Sequence, residues 1–202
     1  TGCAWRRESA DMTLPLRERE PIDRDDLGFF QAGPRLSNTF DADPALSERL
    51  ERLVPGELAE RLRPAWQALG EAAAGPLLEL ARRAEAEPPR HVPYDAWGRR
   101  IDEVRCSPAW SELHAQAAHW GLTAIPYEGR LGPYARLHQF ALLLLYAPSS
   151  AIYSCPLAMT DGAARTLLEH ADDPLKQRVV PRLTSRDPRQ LWTSGQWMTE
   201  RT

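Results

Sequence analysis

The sequence predicts a mainly α-helical domain that ends in the first strand of a β-domain it does not complete. Three observations carry this. Apolar residues recur at helical spacing from Pro44 to about Leu183. The candidate helices open at Pro or a short polar cap and close at Gly or Pro. The period then changes in QLWTSGQWMT (190–199), which alternates loosely and is richer in aromatic and β-branched residues. On this reading residues 1–43 are a polar N-terminal extension, 44–188 the helical domain, and 189–202 the start of the β-domain.

Each helix has its own justification. In DPALSERLERLV, Asp43 is placed to cap, Pro44 sits at the first helical position, and Leu46, Leu50 and Leu53 share a stripe. In PGELAERLRPAWQALGEAAA the stripe is Leu58, Leu62, Trp66 and Leu69, with Pro64 expected to kink or restart the helix. GPLLELARRAEAE is a third helix, stopped by Pro88 and Pro89. RHVPYDAWGRRIDEV reads as a loop anchored by Tyr94, Trp97 and Ile101. In SPAWSELHAQAAHWG, Ser107 caps, Pro108 opens and Gly121 closes, with Trp110, Leu113, Ala117 and Trp120 facing inward. GPYARLHQFALLLLYA is apolar nearly all round, so a central helix enclosed by neighbours is expected, with His138 on its polar flank. SCPLAMTDGAARTLLEHA turns Leu157, Ala164, Leu167 and Leu168 inward, and DDPLKQRVVPRL starts at Pro174 with Asp173 as cap.

Composition bounds the function. The chain has 202 residues, 43% hydrophobic and 26% charged, which suits one globular domain or one plus part of another. A net charge of −3 argues against a binder of nucleic acid over its whole surface, while leaving a local patch open. The apolar run Phe140–Ala147 is far below the roughly 20 residues that span a bilayer, so no membrane segment is expected. No signal-peptide pattern opens the chain, and a cytoplasmic location is expected. The first Met is Met12, and if it is the native start, residues 1–11 lie upstream of it. Trp197 and Met198 meet the end at Thr202 without cover, so a piece of a longer protein is expected.

Residue chemistry offers no complete catalytic site. Cys3, Cys106 and Cys155 lack any paired spacing, so neither zinc nor another metal is expected, and reduced thiols are. Cys155 precedes Pro156 at a helix start, where a thiolate is favoured, but a buried structural thiol is the preferred reading. His114 and His119 are five apart and do not match the i, i+4 pair of a metal helix. His91 and His170 fall at loop or helix ends. Trp192 and Trp197 bracket the expected strand. They suit either a planar cofactor or the rest of a second domain, and the second is preferred on the residues alone.

The segment DDPLKQRVVPRLTSRDPRQLWTSGQWMTERT resembles the acyl-CoA dehydrogenase superfamily. Its members carry a K-Q-x-x-x-P-x-L helix, a short loop, and a strand ending in (L/M)-T-E before a Gly/Ser-rich turn. The matching residues are Lys176, Gln177, Pro181, Leu183, Met198, Thr199 and Glu200. Tyr94–Trp110 and Tyr153–Thr160 further resemble the branch typified by the alkylation-response protein AidB. The resemblance covers roughly residues 50–202. It implies the N-terminal helical domain of a flavoprotein whose β-domain and C-terminal bundle follow. It implies FAD, bound non-covalently, with Gln196, Trp197, Met198, Thr199 and Glu200 as cofactor-binding residues. It places the catalytic Glu beyond residue 202, so no catalytic residue is nominated. The implied partners are an acyl-CoA-type small molecule, further copies of the full-length chain in a tetramer, and, through a C-terminal region, DNA. Three readings follow: an FAD-dependent dehydrogenase-like oxidoreductase, an AidB-type flavoprotein that protects DNA with little turnover, and a cofactor-free helical interaction module.

Overall fold

In the computed structural model residues 34–196 are described, and the chain from Leu36 onward forms one unit. Helix α1 spans Pro44–Leu53, α2 Gly56–Ala74 and α3 Pro76–Ala86. A hairpin follows, β1 Arg90–Tyr94 and β2 Arg100–Arg105. Then come α4 Pro108–Trp120, α5 Ala135–Tyr146, α6 Ser154–His170 and α7 Asp173–Leu183. The mainly helical fold expected from the sequence is the one observed. The centre is α2, which packs against α1, α3 and α5. Helices α3 and α4 pair, as do α6 and α7.

Local chemistry explains the ends of these elements. Asp43 caps α1, its Oδ1 accepting from the Leu46 amide at 3.0 Å. Ser107 caps α4 by accepting from the Trp110 amide at 3.2 Å, and Gly121 ends it in the left-handed region at φ +67°. That conformation carries no Cβ penalty for glycine. Ahead of α1, Phe40 is buried with its ring 5.7 Å from that of Trp66. It lies over Gly70, where an added Cβ would come within 2.7 Å of the Phe40 amide.

Several expectations need correction. Pro64 does not restart α2, which runs through it as one helix. Pro64 and Glu60, whose carbonyl loses its partner, are both exposed, so water can serve that carbonyl. The stretch 90–105 is a hairpin, with Arg90 opposite Arg105 and Tyr94 opposite Arg100 across a bulge. His91 lies on β1 and meets Asp102 at 3.2 Å. The expected anchors Tyr94, Trp97 and Ile101 are exposed, Trp97 at 92%. The turn is held instead by Asp95 Oδ1, which accepts from the amides of Trp97 and Arg99, both at 2.9 Å. Asp172, not Asp173, caps α7. Leu53 and Leu168 are exposed rather than inward. Helix α6 has α7 as its main neighbour, and one neighbour covers only a narrow stripe, here Leu157, Thr160 and Ala164.

His138 departs furthest from expectation. It is buried rather than on a polar flank, and its Nδ1 accepts from Trp66 Nε1 at 3.0 Å. Burial, with a smaller contribution from the Arg186 charge, pushes its pKa down to about 4. The neutral ring is therefore the native form, with Nδ1 unprotonated.

Candidate functional site

Helix α5 also departs from an enclosed cylinder. Its inward face is closed by defined bonds. Gln139 Nε2 donates to the Leu122 carbonyl at 2.7 Å, and Tyr146 Oη donates to the Leu113 carbonyl at 3.0 Å. The opposite face is bare: Phe140 is 59% exposed and Leu144 54%. These residues are four apart and so stand one above the other. With Leu143 and Ala147 they line an apolar groove of about 410 Å³, whose far wall is Ser154, Cys155 and Ala158 of α6. Cys155 is exposed there, which corrects the buried structural thiol of the sequence reading. Leucine, phenylalanine and alanine walls with no charged group suit a hydrocarbon chain.

The turn between α5 and α6 that ends this groove is strained. Ala151 and Ile152 both take positive φ, +45° and +63°. A β-branched residue is rarely found there, and the conformation costs of order 1–2 kcal/mol. The turn is held by Ser149 Oγ, which donates to the Ala73 carbonyl at 2.7 Å, and by Tyr153 N, which donates to the Ser150 carbonyl at 2.7 Å. Strain of this kind concentrates where chains meet ligands.

A second and larger cleft, about 510 Å³, lies at the base of the hairpin between Glu87, Arg90, Arg105 and Cys106. Arg105 is already paired with Glu103 on its own strand, at 2.9 Å. Although larger, this cleft is lined by the charged side chains of Glu87, Arg90 and Arg105, which suit a hydrocarbon chain less well than the uncharged α5–α6 groove.

The segment that leads to the expected cofactor contacts is anchored on the other side of α6. Leu191 is buried. Trp192 N donates to the Arg182 carbonyl at 2.9 Å, and the Arg182 guanidinium lies 5.8 Å from the centre of the Trp192 ring. Ser194 N donates to Thr160 Oγ1 at 2.9 Å. Residues 191–196 form no ladder with any described strand. Of the proposed cofactor residues, Gln196 is exposed, while Trp197, Met198, Thr199 and Glu200 lie outside the described residues. The amides of Trp192 and Ser194 are tied inward. The side chains of Thr193 and Gln196 and half of Trp192 are left outward, and Gly195 presents no side chain. This surface offers an apolar face at Trp192 and polar side chains at Thr193 and Gln196.

A polar cluster braces α5 against α6. Arg136 pairs with Asp161, Tyr127 Oη donates to Asp161 Oδ1 at 2.6 Å, and Arg136 Nη2 donates to Tyr127 Oη at 3.0 Å. Burial first, and then its bond to the Asp161 carboxylate, pushes the Tyr127 phenol up to about 12, so it remains a donor at neutral pH.

Residues 34–188 match the family described as adaptive response protein AidB, N-terminal domain. The chain belongs to the AidB-like branch of the acyl-CoA dehydrogenase superfamily. Among curated proteins it is 39% identical to acyl-CoA dehydrogenase family member 11 of Caenorhabditis elegans over 197 residues, 96% of this chain and 32% of that protein. It is 33% identical over 160 residues to the putative acyl-CoA dehydrogenase AidB of Escherichia coli K12, 79% of this chain and 29% of that protein. This AidB-like chain therefore spans about a third of the length of these relatives. Among solved structures, Bd2924 in its apo form superposes with a TM-score of 0.82 at 53% identity, over 86% of this chain and 34% of that one. Caenorhabditis elegans ACDH-11 in complex with C11-CoA superposes with a TM-score of 0.81 at 41% identity, over 86% of this chain and 30% of that one. The hairpin and the α5 groove are what sequence reasoning missed in this AidB-like domain. The signal available was the all-round apolarity of α5, which marks two covered faces without saying what covers the second.

Proposed function

We propose that this chain is the N-terminal part of an FAD-dependent, acyl-CoA dehydrogenase-like oxidoreductase, and that the α5–α6 groove forms part of the wall for the substrate's acyl chain. The observation that carries the reading is the groove itself. It is an ordered apolar trough on a domain whose relative was solved with an eleven-carbon acyl-CoA. Residues 191–200 would hold one edge of FAD, with Thr193 and Gln196 offering polar side chains and Trp192 a flat apolar face. When bound, FAD supplies the hydride acceptor for α,β-dehydrogenation. The work of this chain's own residues is binding and water exclusion. Phe140, Leu143 and Leu144 bury methylenes at roughly 0.8 kcal/mol each, which favours substrates long enough to reach them. The Arg136–Asp161–Tyr127 cluster keeps the α5 and α6 walls in fixed relation.

The test is to extend the reading frame past Thr202, produce the full-length protein, and measure bound flavin by absorbance. Titration with saturated acyl-CoAs of increasing chain length under anaerobic conditions follows. The reading expects stoichiometric FAD that is bleached by the acyl-CoA, with affinity rising with chain length. A protein that carries FAD yet is reduced by no acyl-CoA, and that binds DNA in a salt-dependent way, would favour the protective reading instead.

A further inference from the structure

Between α7 and the segment at Leu191 lies the loop 184–190, and two side chains from far upstream hold it. We propose that Arg186 and His114 are positioning residues, whose clamp on this loop sets where residues 191–196 meet the flavin. The proposal rests on the flavin reading given above.

The geometry is specific at each contact. Arg186 reaches back to Glu128, pairing through Nε and also through Nη2 at 3.2 Å. Its Nη1 donates to the His119 carbonyl at 3.2 Å, one of the carbonyls left unpaired at the end of α4. The guanidinium fills the space a side chain at Gly121 would take, since a Cβ there would lie 2.5 Å from Nη1. Position 121 favours glycine for its positive φ, and any side chain there would displace the Arg186 guanidinium. Hydrogen bonding from Arg186, and secondarily its charge, also holds the Glu128 carboxyl below the usual carboxylate range.

His114 grips the same loop from α4. Its Nε2 lies 2.8 Å from the Pro188 carbonyl, which can only accept, so Nε2 carries the proton. In the neutral ring Nδ1 then accepts from Tyr153 Oη at 2.6 Å. Burial keeps the Tyr153 phenol protonated, with its pKa pushed up to about 12, so the donor in this relay is permanent. The rings of Trp110 and His114 both meet Tyr153 edge-on, at 5.0 and 5.9 Å, which fixes the tyrosine in place.

A purely structural role does not account for this arrangement. Helix α7 already ends at Leu183 and is packed on α6. Arg186 is 43% exposed in its pair with Glu128, and solvent screening there discounts, without removing, what the pair adds to global stability. What these bonds do determine is the register of the loop. Directly after the loop come the two amide bonds, from Trp192 and Ser194, that orient the segment bearing the flavin contacts. A clamp of modest energy placed there acts on position: when the competent arrangement is populated a tenth of the time, apparent affinity falls tenfold.

The test uses the full-length protein and four variants. Arg186→Ala and His114→Phe remove the clamp. Arg186→Lys keeps the charge but not the fork. Arg63→Ala removes a surface pair with Glu51 that links α2 to α1 rather than to the loop. Amide hydrogen exchange over residues 185–196 is read alongside FAD affinity and the flavin absorption spectrum. Arg186→Ala and His114→Phe are expected to speed exchange in this window and to weaken FAD binding roughly tenfold, with a shifted flavin spectrum. Arg186→Lys should fall between them and wild type, and Arg63→Ala should do neither. Unchanged exchange in Arg186→Ala overturns the clamp. Faster exchange with FAD affinity and spectrum unchanged overturns the positioning role. A wild-type protein that binds no FAD sinks the flavin reading and the positioning role with it, and the exchange data then decide separately whether the clamp exists. Should Arg186→Ala fail to fold, Arg186→Lys and His114→Phe carry the same comparison.

Discussion

The two faces of α5 differ in polar content and are opposite in what closes them. The inward face carries His138, Gln139, Leu142 and Tyr146, all buried. Each of its three polar groups finds a partner on another element, Trp66, Leu122 and Leu113, 17 to 72 positions away, and Gln139 also accepts from Arg136 one turn earlier at 2.9 Å. The outward face carries Phe140 and Leu144, more than half exposed, with no partner among the described residues that covers them. The difference teaches that apolarity specifies burial but not the identity of the cover. The polar residues do that, because a buried donor or acceptor must be matched in place. The inward face is closed within this fold, and the outward face carries the groove proposed for the acyl chain.

The largest effect expected from breaking this contrast is at Trp66. Trp66→Ala removes a fully buried ring and leaves His138 Nδ1 without its donor, so denaturant unfolding should show a loss of about 3–5 kcal/mol. Acid sharpens the same point. The folded pKa of His138, about 4, lies below its unfolded value, so its neutral form contributes stability that is complete above about pH 6.5. That contribution is lost as pH falls from about 6.5 toward 4, and amounts to roughly 2–3 kcal/mol. Wild type should therefore lose more stability than His138→Gln over that interval, when unfolding midpoints are followed against pH.

Smaller effects belong to the outward side. Ile152→Gly relieves the left-handed strain at the end of the groove and should raise stability by up to about 1 kcal/mol, or leave it level if the gain is offset by the flexibility of glycine in the unfolded chain. A clear loss would show that the turn is not strained. Phe140→Ser and Leu144→Ser should change unfolding free energy by no more than about 0.5 kcal/mol. Yet they should weaken acyl-CoA binding by the full-length protein, more for long chains than for short ones.

Legibility in the sequence followed the range of the interaction. Asp43 with Pro44, and Ser107 with Pro108 and Gly121, were readable because a cap and its amide lie within a few residues. The choice between Asp172 and Asp173 was missed because two adjacent aspartates satisfy the same local pattern. The hairpin was invisible to a search for alternating apolar residues, since β2 is exposed along its whole length and has no core face to encode. His138 was misplaced because its partner Trp66 lies 72 residues away. Arg186 read as one of many surface arginines, since nothing local links it to Glu128 or Gly121. The family motif around Lys176, Gln177, Pro181 and Leu183 was legible as an ordered set. The cofactor residues Trp197 to Glu200 that it implied lie outside the described residues.

The most direct test of the central claim compares acyl-CoA affinity against chain length in the full-length wild-type protein and in Leu144→Asp. The α5–α6 groove predicts that wild-type affinity climbs with each added methylene until the groove is filled, and that a carboxylate at position 144 flattens the climb while short-chain binding survives. Parallel curves for the two proteins would contradict it and assign the outward face of α5 to some other cover.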